Sequence, residues 1–330
     1  MSCIPNSIPN EVMTMDTILR IGTRGSALAL AQAEETRRRL AAAHPALAAP
    51  GAVEIVVIRT TGDRVQDRPL AMIGGKGLFT KEIEDGLLDG CLDLAVHSMK
   101  DMPTRLPDGL VIGALLPRED PRDALFAHTG ALNGPATLAS LKLGGVVGTS
   151  SLRRQAQLLA LRPDLRIVPF RGNVETRLYK LDVGTVDATL LALAGLKRLG
   201  RADRVTAVLD PSEMLPAVAQ GAIGIECRAG DERVHALLSP LHDRDTSDRV
   251  AAERALLSTL EGSCRTPIAA LAELGPGDTL TLTARAALPD GSEMHEDRRC
   301  GPRSEAERLG TEAGEALRGR IGPGFLAEGW

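Results

Sequence analysis

Three kinds of residue in this chain stand where they could do chemistry. The first is the pair Lys100 and Asp101, just past the apolar run 92–96 and just before Pro103. Residues 93–96 read as a short buried strand that ends in a turn. In open α/β sheets, ligands bind outside the carboxyl ends of strands. A carboxylate there can hold a developing cation or move a proton. Taken alone, the pair also reads as an ordinary turn.

The second kind is arginine. Six lysines leave 33 arginines among the 39 basic residues. A GC-rich genome gives the same bias, so only arginines at turns and helix starts carry weight. Arg24 lies in Gly22-Thr23-Arg24-Gly25-Ser26, after a strand at 18–21 and before a helix at 27–43 with Ser26 as its N-cap. The GxxxxGK[ST] pattern of a phosphate loop is absent. Arg153 and Arg154 occupy the first turn of a helix predicted at 152–161, after a strand end at 146–148 and the hydroxyls of Thr149, Ser150 and Ser151. Positive side chains there oppose the helix dipole and favour a nearby anion. The pattern recurs after a strand at 165–170, with Arg171-Gly172-Asn173 and a helix from Val174 that carries Arg177. Arg198 follows a further strand at 187–193. Guanidinium forks grip carboxylates in pairs of hydrogen bonds, so arginines gathered at strand ends read as an anion-binding surface.

The third is Cys264, in the loop 261–267 beside Arg265. A neighbouring cation lowers a thiol pKa and makes it a better nucleophile. Cys91 and Cys227 lie within apolar runs, and Cys3 lies near the start. Five cysteines without a CxxC or Cys/His spacing argue against a disulfide framework or a metal site, and fit a reduced cytoplasmic setting. No His is paired with Cys264 by sequence spacing.

The rest of the chain must position these groups. Its 330 residues are 43% hydrophobic, with a net charge of −4 and 2% aromatic residues. That is enough for several cores, and it speaks against a nucleic-acid partner by charge or by base stacking. No run reaches the roughly 18 apolar residues of a membrane span. Residues 1–17 read as a disordered extension without signal-peptide features. Gly74, Gly75, Lys76, Gly77 and Phe79 form a glycine-rich loop whose backbone can approach a ligand. The expected fold is α/β. It has two periplasmic-binding-protein-like lobes with mixed, mainly parallel sheets, two crossings between them, and a small C-terminal α+β domain. Residues 18–116 with 217–239 form the first lobe, 117–216 the second, and 240–330 the third domain, which bears the Cys264 loop. The charged, proline-flanked stretch 117–123 is the first crossing. Gln220 sits in the second, at 215–227.

At this point several segments resemble the signatures of the porphobilinogen deaminase (hydroxymethylbilane synthase) family. They are His97-Ser98-Met99-Lys100-Asp101, Gly148 through Gln155, Arg171-Gly172-Asn173, Glu261-Gly262-Ser263-Cys264, Gly74 through Phe79, and Pro216 through Gly221. They run in order from about residue 18 to the end. The resemblance implies a transferase of porphyrin biosynthesis that joins four porphobilinogen molecules head to tail, with loss of ammonia, to give hydroxymethylbilane. It implies a dipyrromethane cofactor held by a thioether to Cys264, a catalytic carboxylate at Asp101, and Lys100 beside it. It assigns substrate and cofactor carboxylates to Arg24, Ser26, Lys76, Ser98, Thr149, Ser151, Arg153, Arg154, Arg171, Gly172, Asn173, Arg177, Arg198 and Gln220. Gly74, Gly75 and Phe79 belong to the loop over the site. It further implies a cytoplasmic monomer without metal, nucleic acid or membrane partners. Gly25 departs from the family turn, where a larger polar residue is expected.

The chemistry agrees with the residues. A growing chain of pyrroles bearing acetate and propionate needs many arginine forks. Loss of ammonia leaves an electron-poor azafulvene, whose charge a carboxylate can stabilise. Two other readings compete. A non-enzymatic two-lobed binder of a polycarboxylate needs no reactive cysteine, and a regulatory paralogue should lack Asp101 or Cys264.

Overall fold

The computed structural model describes residues 18–64, 80–263, 266–322 and 325–326. The first lobe is built on β1 (Leu19–Arg24), α1 (Ala27–Ala43), β2 (Val53–Ile58), α2 (Thr61–Arg64), α3 (Lys81–Leu88), β3 (Leu94–Ser98) and β4 (Leu110–Leu115). Leu19, Ile21, Leu94 and Val96 fill its core because these strands are covered on both faces. Ser26 caps α1 by accepting from the Ala29 amide at 3.2 Å. Small residues Ala29 and Ala33 and the larger Leu40 form the buried face of that helix.

The second lobe comprises β5 (Asp123–Ala127), β6 (Val146–Gly148), α4 (Leu152–Leu161), β7 (Arg166–Val168), α5 (Val174–Asp182), β8 (Ala188–Ala192), α6 (Leu193–Arg198) and β9 (Ala207–Val208). The chain then returns to the first sheet as β10 (Ile223–Arg228), followed by α7 (Glu232–Leu238). The two five-stranded sheets have matching plans, β2-β1-β3-β10-β4 and β7-β6-β8-β5-β9. In each, the strand that enters from a crossing (β10 or β5) lies between two neighbours and runs antiparallel to both. The other pairings are parallel. The sheets are therefore evenly mixed, with less parallel character than the βα alternation predicts. The reason is that a strand arriving from the other lobe is not fed by a local crossover helix.

The C-terminal unit holds α8 (Arg244–Thr259), the antiparallel β11 (Ile268–Gly275), β12 (Thr279–Ala287) and β13 (Met294–Pro302), and α9 (Ala306–Arg320). Leu280, Leu282, Ala284 and Ala286 alternate inward along β12, the period of a sheet with one buried face. This core also takes in Met99, Met102 and Leu115 of the first lobe. The turn that carries Lys100 and Asp101 is thus packed from below by the C-terminal unit. Arg254 of α8 adds a polar tie, with Nη2 donating to the carbonyls of Pro103 at 2.7 Å and Thr104 at 3.2 Å.

Candidate active site

Asp101 and Lys100 lie in one turn of 3-10 helix, Met99–Asp101, immediately after β3. Met99 is buried and anchors the turn, Lys100 is half-buried, and Asp101 is exposed. Because β1 and β3 are parallel neighbours, Arg24 and Ser26 come out at the same end of the sheet. Ser98, the last residue of β3, is held to α1 by a 2.8 Å hydrogen bond from Gln32 Nε2 to its Oγ.

The second lobe presents its arginines through two capped helices. Ser151 caps α4 by accepting from the Arg154 amide at 3.4 Å, and the Thr149 hydroxyl accepts from the Ser151 amide at 3.1 Å. Asn173 caps α5 by accepting from the Thr176 amide at 2.8 Å. Gly172 precedes it with φ 125°, and a Cβ there would lie 2.7 Å from Thr176 Cγ2, so the turn needs glycine. Arg177 Nε donates back to the Gly172 carbonyl at 2.9 Å.

Electrostatics tie the two lobes together. Burial lowers the Lys100 ammonium below the ordinary lysine range; Arg154 and Arg153 add to that, and Asp101 and Asp123 oppose it. Burial also pushes Arg177 down to about 10, reinforced by Arg154 and Arg171 and opposed by Asp101. Lys100 thus feels the charges of Arg153 and Arg154, and Arg177 those of Arg154 and Arg171. Crowded cations of this kind are stabilised by anions.

Several predicted residues have internal work. Arg153 and Arg154 are buried, and both pair with the wholly buried Asp123, at 2.7 and 2.8 Å. Asp123, at the end of the charged stretch 117–123, is thus an anion of the kind that their place in the first turn of α4 calls for. The available signal was an acid directly before the apolar run Ala124-Leu125-Phe126-Ala127. Gln220 also turns inward, donating to the Pro121 carbonyl at 2.7 Å and to Asp123 at 2.9 Å. Arg198 also has partners within the protein. It donates to the Gly221 carbonyl at 2.9 Å, lies 3.6 Å from Glu35, and lines a concavity of ≈ 780 Å³ with Glu34, Glu35, Arg37 and Arg38. Gly74, Gly75, Lys76, Phe79 and Cys264 lie outside the described residues.

The residues present suit a polycarboxylate. The Nε atoms of Arg153 and Arg154 and the Oε1 of Gln220 are buried without a hydrogen-bond partner. Unpaired guanidinium donors next to like charges fit the acetate and propionate groups of a pyrrole ligand. Among the described residues no cluster of metal-ligating side chains occurs.

Comparison with known proteins settles the family. Residues 19–236 match the porphobilinogen deaminase, dipyromethane cofactor binding domain, and residues 248–319 match the porphobilinogen deaminase C-terminal domain. The chain belongs to the porphobilinogen deaminase family. A porphobilinogen deaminase from Paracoccus denitrificans (strain Pd 1222) is 59% identical over 93% of this chain and 96% of that one. A chloroplastic porphobilinogen deaminase from Oryza sativa subsp. japonica is 54% identical over 97% of this chain and 88% of that one. Among solved structures, an ABC transporter periplasmic binding protein from Brucella ovis with glutathione bound is similar at 17% identity. Its TM-score is 0.40, covering 74% of this chain and 69% of that one. The first of the two matched domains is the one that binds the family's dipyrromethane cofactor.

Proposed function

We propose that this porphobilinogen deaminase works as a transferase with Asp101 as its reacting carboxylate and Cys264 as the anchor of the dipyrromethane primer. When bound, the primer supplies the terminal pyrrole to which substrate units are joined. Arg153, Arg154, Arg171 and Arg177 hold acetate and propionate groups, with Lys100 beside them. As the aminomethyl C–N bond of porphobilinogen breaks, ammonia leaves and positive charge develops on the pyrrole. Asp101 stabilises that charge, and after the new C–C bond forms it accepts the proton lost from the attacked ring carbon. The observation that supports this reading is the place of Asp101, in the turn directly after β3 and at the same end of the first sheet as Arg24 and Ser26. A carboxylate at the end of a strand, with arginines nearby in sequence pattern, is suited to a substrate that is anionic at its rim and cationic at its reacting centre. Arg24 and Ser26 extend the binding surface from the same end of the first sheet. Arg198, bonded to Glu35 and the Gly221 carbonyl, takes the lesser part of holding the lobes together. The exposed thiols of Cys91 and Cys300 suit a reducing, cytoplasmic setting, and a monomer is sufficient for these roles.

The test is turnover of porphobilinogen with release of one ammonia per molecule. Asp101→Asn is expected to lower kcat about 100-fold or more while the protein stays folded. A fall of less than threefold would remove Asp101 from the reaction.

A further inference from the structure

Asp123 joins both arginines of α4 to both crossings between the lobes. It opens β5 directly after the first crossing and is wholly buried. Its Oδ2 accepts from Arg153 Nη2 at 2.7 Å, and its Oδ1 accepts from Arg154 Nη2 at 2.8 Å and from Gln220 Nε2 at 2.9 Å. Each guanidinium is pinned at its other end by a carbonyl. Arg153 Nη1 donates to Leu215 at 2.7 Å and Arg154 Nη1 donates to Leu190 at 2.9 Å. Gln220 and Leu215 belong to the second crossing. Neither arginine is free to swing, and each keeps one buried Nε–H without a partner.

Two guanidiniums side by side repel, and a single carboxylate between them offsets that repulsion while leaving a net positive pair. Burial alone would raise the Asp123 carboxyl. Arg153, Arg154 and the hydrogen bonds from Arg154 and Gln220 outweigh it and hold the group well below the usual carboxylate range. With a guanidinium on each oxygen, Asp123 is held as a carboxylate. Donors fixed in advance lose less freedom when a ligand arrives.

We infer that Asp123 is a positioning residue for the deaminase reaction: it sets Arg153 and Arg154 as one rigid unit for pyrrole carboxylates and ties that unit to both crossings. The inference rests on the deaminase reading. Asp123 itself need not touch substrate.

The test uses Asp123→Asn in the full-length, primer-bearing protein. The probe is the substrate pyrrole without its aminomethyl group, which can bind and cannot react. Calorimetry gives its Kd, a melting curve reports folding, and porphobilinogen turnover gives KM and kcat. Expected is a folded variant whose probe Kd weakens about tenfold or more, with KM rising in step and kcat falling much less. A lower melting point with a probe Kd within twofold of wild type would make Asp123 purely structural and overturn the inference. If Asp123→Asn does not fold, Gln220→Met removes one donor to Asp123 and leaves both ion pairs. Its probe Kd is expected to weaken about threefold, and an unchanged value would overturn the inference. A wild-type protein that consumes no porphobilinogen would overturn the deaminase reading and this inference with it. Wild-type turnover with unchanged variant affinity overturns this inference alone.

Discussion

Arg118 and Glu253 form a two-pronged ion pair almost sealed from solvent, with Nη1 2.7 Å from Oε1 and Nη2 3.1 Å from Oε2. Arg118 belongs to the first crossing, and its Nε donates to the carbonyl of Gln220 in the second at 2.9 Å. Glu253 comes from α8 and accepts from the amides of Ala219 at 2.6 Å and Ala272 at 2.8 Å. Both lobe connections and the C-terminal unit therefore meet at one pair of side chains. Ala219 has φ 56°, a left-handed conformation unusual for alanine, and the bond to Glu253 helps to hold it there. Two residues on, Gly221 has φ 90°, and a Cβ would lie 2.3 Å from the Glu119 carbonyl oxygen.

Breaking this pair from one side should be costly, because it leaves a buried guanidinium without its counter-charge. Glu253→Ala is expected to destabilise the protein by about 3–5 kcal/mol, read as a fall in the urea midpoint. Removal also frees both crossings, so the loss should appear as one cooperative transition. A midpoint equal to wild type would show that the lobe connections do not depend on the pair.

Lys100 should give the alkaline limb of the pH profile. Burial and the neighbouring Arg154 and Arg153 lower its pKa, so its charge is lost at a lower pH than the roughly 10.4 of a free lysine. Asp101 and Asp123 limit that fall. Lys100 lies beside the arginines proposed to hold substrate carboxylates, so KM is expected to rise as pH climbs through the lowered value. Lys100→Arg keeps its charge to higher pH and should move the rise upward. The same rise at the same pH in both proteins would assign it to another group.

Gly172 gives a test of backbone geometry at the site. Gly172→Ala must adopt φ 125° and meet Thr176, so a stability loss of about 1–3 kcal/mol is expected. The Gly172 carbonyl also accepts from Arg177, so KM for porphobilinogen should rise several-fold. Thermal melts with steady-state kinetics check both. A stable variant with an unchanged KM would mean that Arg177 does not depend on this turn.

Much of this arrangement was legible in the residues because local rules set it. Ser26, Ser151 and Asn173 cap helices where hydroxyls or an amide precede a periodic run, and each helix starts where its cap predicts. The run before Lys100 is a strand because apolar residues buried on both faces have few alternatives. β11 is not legible locally, because Ile268-Ala269-Ala270-Leu271-Ala272 is alanine-rich and has weak strand preference on its own. Its pairing with β12 supplies what local sequence does not. Asp123 was hidden for another reason. An acid in a charged stretch looks solvated until the fold brings two arginines from thirty residues away against it. Arg198 resembles its neighbours in pattern, and α6 brings it to 3.6 Å from Glu35. Spacing identifies cations near strand ends, but it does not say which already have internal partners.

The most direct test of the central claim is the intact mass of the protein beside that of Cys264→Ala, each after incubation with porphobilinogen. The account predicts that wild type carries an added mass equal to two linked pyrrole units, while Cys264→Ala carries none and does not turn over. Wild-type protein that stays at its bare chain mass, or a Cys264→Ala variant that gains the same adduct, would contradict it.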